Sequence, residues 1–213
     1  MKHRSLARQA GFTLVEIAIV LVIIGLLLGG VLKGQELIKS AKVKAYKSNA
    51  DAITVAFNGY LERFRALPGD DIAALTRFPV ANFPNIVNGN GNAFVDSAWN
   101  SVTLTDESNQ AFMHLIAGGF IKGDANALVA QELKPKGPNG ETMGVQMNAQ
   151  GLPGVSVCYG NMSGEMAELY DIAFDDGRPG GGSIRVNNTP AQVNYAAIGA
   201  TYKTQYFTSC TAL

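Results

Sequence analysis

Twenty-one residues, Phe12 to Leu32, form an apolar run that contains one charge, Glu16. From Ile17 to Leu32 only Ile, Ala, Val, Leu and Gly occur. At about 1.5 Å of rise per residue, a helix of this length crosses a hydrocarbon core of about 30 Å. A membrane-spanning helix over 12–32 is therefore the first constraint on any fold. The run is too long for the apolar part of a cleaved secretory signal, and no Ala-x-Ala pattern ends it. The small residue, Gly11, comes before the run. Lys2, Arg4 and Arg8 precede it and Lys33, Lys39, Lys42, Lys44 and Lys47 follow, so the basic residues do not orient it.

The helix pattern continues past Leu32. The next stop signal is Pro68-Gly69, and apolar residues recur at Leu37, Ile38, Ala41, Ala45, Ala52, Val55, Ala56 and Leu61, mostly three or four apart. The spacing predicts one helix from Phe12 to Ala66, apolar all round in its first half and amphipathic over 33–66, with this stripe facing a core. Gly25, Gly29, Gly30 and Gly34 each weaken it by about 1 kcal/mol relative to Ala, which places a bend or melted turn near Gly29–Gly34.

An acid inside a membrane segment marks a functional site and needs a partner. No Lys or Arg lies within a turn of Glu16. A cut after Gly11 would create an amine at Phe12, one turn away on the same helix or facing Glu16 from a neighbouring copy. The plainer alternative is a polar residue near the interface that reaches water by snorkelling.

"GFTLVEIAIVLVIIGLLLGG" resembles the N-terminal signature of type IV pilins and type II secretion pseudopilins. The resemblance implies a leader peptide over 1–11, cleavage between Gly11 and Phe12 by a prepilin peptidase, and N-methylation of Phe12. Glu16 matches the acid the family keeps for assembly. The implied partners are copies of the chain or related pilins, the peptidase/methyltransferase, an inner-membrane assembly platform, and lipid before assembly. The implied location is the bacterial inner membrane, then an extracellular pilus or periplasmic pseudopilus. One departure is visible: many pilins carry a proline where this chain has Lys33, so a proline-centred kink does not carry over.

Residues 67–213 read as an extracytoplasmic domain. Residues 67–104 form a loop-rich connector. Asp70, Asp71, Asn88 and Asn90 have oxygen chemistry suited to calcium but lack EF-hand spacing, and turn chemistry accounts for them better. "TDESNQAFMHLIAGGF" predicts a helix capped by Thr105 or Asp106, with Ala111, Phe112, Leu115 and Ile116 inward and His114 a packed core or surface residue rather than a ligand. "SGEMAELYDIAF" predicts a second helix capped by Ser163. Strand patterns occur in "GVQMNA", "GVSVCYG", "SIRVN", "VNYAAIG" and "TQYFTSC". The class is α+β: a long N-terminal helix packed on a small antiparallel sheet.

Cys158 and Cys210 are a natural pair in an oxidising compartment and two separate thiols in a reducing one. Their position resembles the C-terminal disulfide loop of many pilins. Asp171, Asp175 and Asp176 are candidate calcium ligands on a turn, with Arg178 and Arg185 as alternative partners. No cofactor is required.

Without residues 1–11 the chain carries 14 basic and 17 acidic side chains, and no basic stripe suggests nucleic acid. Neither Gly-x-Ser-x-Gly nor His-Glu-x-x-His occurs, so an enzyme is not expected. Three readings stand. The first is a structural subunit of a type IV pilus-like filament and the second a major pseudopilin of type II secretion. The third is a membrane-anchored, calcium-binding periplasmic domain that never polymerises.

Overall fold

The computed structural model describes residues 13–124, 126–186, 194–199 and 201–213. Two compact units divide at Ala41/Lys42. Helix α1 runs from Leu14 to Phe64, unbroken through all four glycines of its first half. It ends two residues earlier than the pattern suggested, because Arg65 takes a left-handed φ of 55° and donates its N–H to Leu61 O.

The first unit is the N-terminal part of α1, and every residue from Thr13 to Lys33 in it is exposed. The second unit packs the rest of α1 against a four-stranded antiparallel sheet, β1 (Thr142–Met147), β2 (Val155–Ser163), β3 (Ile184–Val186) and β4 (Tyr206–Ala212), in the order β1-β2-β4-β3. The remaining helices are α2 (Ala74–Arg77), α3 (Glu107–Ala117), α4 (Ala130–Leu133), α5 (Gly164–Phe174) and α6 (Tyr195–Ile198).

The stripe expected to face the core is not the buried one. Val43, Tyr46, Ala50, Ile53, Phe57 and Tyr60 are buried, whereas Val55 is 71% and Leu61 41% exposed; of the expected stripe only Ala56 is buried. Counting aliphatics alone passed over the aromatics, which bring the largest apolar area and a polar tip. Tyr46 Oη donates to Glu141 and Tyr60 Oη to Asp71 Oδ2 at 2.7 Å. The Tyr46 ring meets Tyr159 edge to face, at 5.1 Å between centroids.

Side-chain amides and acids hold the connector in place. α3 is buried along Ser108–Leu115 because the connector wraps it. Gln110 donates to Asn85 O and Leu104 O and accepts from Val87 N, and Asn109 donates to Ser101 O and Thr103 O. Of the two places the sequence left open for His114, core or surface, it takes the core: Nδ1 accepts from Gly69 N at 3.0 Å, which leaves the proton on Nε2 facing Val87 O at 2.9 Å. The Asp70 carboxylate accepts from Gly91 N, Asn92 N and Ala93 N at 2.6, 3.2 and 2.6 Å, turn chemistry rather than a cation site. Asp106 occupies the N-cap of α3, yet its carboxylate accepts from Ser101 Oγ instead of a helix N–H.

Ser163 caps α5 as its sequence indicates, accepting from Met166 N. Four strand patterns became strands. "VNYAAIG" did not: Asn194 accepts from Ala197 N and starts the short helix α6. Local side-chain capping outweighed the β-prone residues there.

Inward residues of β2 alternate through Val157 and Tyr159, then resume at Met162 instead of 161. A bulge lies between, with Gly160 and Asn161 set against one residue of β4, and Asn161 has φ 64°. Cys158 lies opposite Cys210 in the β2–β4 register, and the two are disulfide-bonded. They pack with Ala149, Leu152 and Trp99 in a small cluster apart from the main core. The bond closes a loop of 52 residues, worth about 4 kcal/mol in the chain-entropy treatment. Replacing both cysteines by serine is expected to lower stability by about that amount. Denaturant melts of oxidised wild type against the double variant check it.

Candidate functional site

α1 begins with a reciprocal cap. Thr13 N and Thr13 Oγ1 both donate to Glu16 Oε2 at 2.7 Å, and Glu16 N donates back to Thr13 Oγ1 at 3.3 Å. This is a capping box, Thr-x-x-Glu, which satisfies two of the helix's orphan N–H groups. The signal stands in the sequence as Thr13-Leu14-Val15-Glu16, beside the readings of Glu16 as an acid seeking an amine or snorkelling to the interface. In hydrocarbon each bare N–H costs several kcal/mol, so the acid has a use within its own chain. Its Oε1 accepts from no described residue. Gly11 and Phe12, the proposed cleavage and methylation residues, lie outside the described residues.

Beyond the cap, the helix is long and apolar enough to cross a membrane, and its apolar window is wholly exposed. Fourteen large aliphatic side chains between Leu14 and Leu32 are uncovered. Burying each is worth about 1.5–3 kcal/mol, roughly 20–40 kcal/mol for the set. That exceeds the 5–15 kcal/mol that typically holds a whole domain, so the segment needs a non-aqueous cover. Residues 6–32 match the family model for the prokaryotic N-terminal methylation motif.

The chain carries a type IV pilin or pseudopilin signature. No curated protein and no solved structure matches the chain. The signature supports a pilin-like or pseudopilin precursor anchored in a membrane by its apolar helix, and it covers 6–32 of 213 residues.

The other candidate site is acidic. Carboxylate oxygens of Asp171, Asp175 and Asp176 lie within 4.8 Å of one another. Four of their six oxygens already accept from the protein. Asp171 takes Gly177 N at 3.0 Å and Tyr195 Oη at 2.8 Å, Asp175 takes Ile184 N at 2.7 Å, and Asp176 takes Arg178 N at 2.9 Å. Calcium needs six to eight oxygens. These bonds close the α5–β3 loop and leave two of the six oxygens without a donor among the described residues. Neither arginine ion-pairs with these acids: Arg185 donates to Gln150 O, and Arg178 offers its main-chain N–H.

Two measurements follow. Thr13→Ala is expected to cost about 1 kcal/mol of helix N-terminal stability, read as about fivefold faster hydrogen exchange at residues 14–16 in micelles. Burial, with Asp175 and Asp176 adding to it, raises Asp171 to about 6 against the hydrogen bonds from Tyr195 and Gly177. A raised acid binds its proton more tightly when folded. Its contribution is thus present below the unfolded value near 4 and fades as pH rises through 6, by about 3 kcal/mol. Melting curves from pH 4 to 7 are expected to show this slope in wild type and to lose it in Asp171→Asn; millimolar calcium is expected to leave them unchanged.

Proposed function

We propose that the protein is a structural subunit of a helical type IV pilus-like filament, made as a prepilin, cut after Gly11 and N-methylated on Phe12. The observation that carries this reading is the uncovered apolar helix with a capped acid in its first turn. Before assembly, lipid covers the fourteen aliphatic side chains. In the filament, the same helices of other copies replace lipid, so apolar burial is kept as the subunit leaves the bilayer.

Glu16 provides what lipid cannot. The cap occupies Oε2, and Oε1 is left for the Phe12 amine of a neighbouring copy. A charged hydrogen bond in a dry bundle is strong, and either charge buried alone is heavily penalised, so the pair fixes the stacking register. Contacts that repeat head to tail without closing give an open helix of subunits. The partners in this reading are a prepilin peptidase/methyltransferase, an inner-membrane assembly platform and further copies. No catalytic chemistry and no cofactor are needed.

Glu16→Gln separates the two roles of this acid. Glutamine still completes a capping box, but it carries no charge. The variant is expected to be processed and membrane-inserted while filaments seen by negative-stain microscopy fall by more than about tenfold, the effect of losing one charged pair. Wild-type filament numbers in Glu16→Gln would remove charge pairing from the account. Mass spectrometry of the mature wild type is expected to find N-methylated Phe12 at its start. In a strain deleted for this chain, loss of surface fibres marks a pilus and loss of protein secretion marks a pseudopilus.

A further inference from the structure

An open cleft of about 230 Å³ lies beside Trp99 in the second unit. Trp99 packs on the disulfide cluster, and its indole lies over Gly160 of β2, where any Cβ would run into the ring. Its main chain crosses Gly144 of β1 equally closely. The two glycines leave the sheet bare at this point, and the tryptophan fills only part of the space.

Lys134 also lines the cavity and is 4% exposed. Its Nζ donates to Trp99 O at 2.9 Å and Ser101 O at 2.7 Å, which engages two of its three N–H groups. Among the described residues no carboxylate ion-pairs with it. A buried ammonium held only by carbonyls is unusual, because burial of a charge normally comes with a counter-charge. Burial, with the Lys136 ammonium adding to it, draws Lys134 down to about 8 against the pull of Asp106, so it stays mostly charged at neutral pH.

The rim is rich in carboxamides. Asn100, Gln131 and Asn161 line the cavity, and their side chains bond no described residue. Asn161 is there because of the β2 bulge, with its φ of 64°. Bulges re-aim side chains beside functional sites, and a residue held in the left-handed region is a pointer to one.

We propose that this cavity binds a carboxylate-bearing monosaccharide unit. The carboxylate faces the Lys134 ammonium, the ring lies against the Trp99 indole, and the hydroxyls meet the carboxamides, each of which offers both donor and acceptor. The volume, under the ~300 Å³ at which drug-sized pockets begin, suits one sugar ring, with any further units extending from the open side. A bare carboxylate would leave the three carboxamides and the indole without a use. This site does not depend on filament assembly.

The only tryptophan in the chain is the reporter. Full-length protein in detergent micelles is titrated with glucuronate, with glucose and acetate as controls, and Trp99 emission is followed. Glucuronate is expected to give a saturable change, with glucose on the order of tenfold weaker and acetate without effect, since the charged hydrogen bond and the hydroxyl contacts are both required. Lys134→Met is expected to weaken glucuronate binding by at least about tenfold. Should that variant unfold, Asn161→Gly decides, because glycine keeps the positive φ and removes the amide; it is expected to weaken binding severalfold with an unchanged circular dichroism spectrum. An oligouronate that binds more tightly than free glucuronate assigns a glycan terminus as the source, and equal binding assigns the free sugar acid. No response to glucuronate in folded wild type, an equal response to acetate, or wild-type binding by Asn161→Gly overturns the proposal.

Discussion

A helix with more apolar surface than its own chain can cover governs the rest of this structure. Among the described residues nothing packs on α1 from Leu14 to Leu32, and the deficit exceeds what a domain of this size has in reserve. The cover must come from outside the described chain, from lipid before assembly and, in the proposed filament, from other copies. The polar beginning of α1 must therefore be tolerable in either surrounding, and the Thr13–Glu16 cap supplies that by satisfying helix N–H groups internally. Beyond Ala41 the same helix meets a different requirement. It presents tyrosines whose rings fill the core and whose hydroxyls reach Glu141 and Asp71.

Much of the polar chemistry of the second unit serves this packing. Asp70 gathers three successive N–H groups of the Gly/Asn-rich loop. Asp71 takes Tyr60, Ala73 N and Arg77 together, and Asp171 joins α5 to Gly177 and Tyr195. A carboxylate that accepts several N–H bonds is satisfied within the protein and locks a loop that has no regular hydrogen-bonding pattern of its own. A long, loop-rich connector can thus be tightly held, as the amides of α3 also show.

The legible parts of the fold were those governed by local rules. The apolar run, Ser163 capping α5 and four of the five strand patterns follow from period and side-chain chemistry near in sequence. The buried stripe of α1 was misread because tyrosine has both an apolar body and a polar tip, and only tertiary partners decide whether it faces inward. Asn194 turned an apparent strand into α6 by a single cap. In the candidate site, Glu16 was found as an anomaly in an apolar run, but its cap went unseen although Thr-x-x-Glu is a four-residue signal. The Trp99 cavity was invisible in sequence, since its residues come from 99–100, 131–134, 142 and 160–161 and meet only in the fold.

Strand order has a bearing on how this domain matures. β4 is the latest strand in the chain, yet it sits inside the sheet between β2 and β3, and its Cys210 meets Cys158 across the ladder. Among the described residues β3 has no other neighbour in the sheet. The sheet is therefore incomplete until residues 206–212 have joined it, and the disulfide cannot close before the last strand is in place.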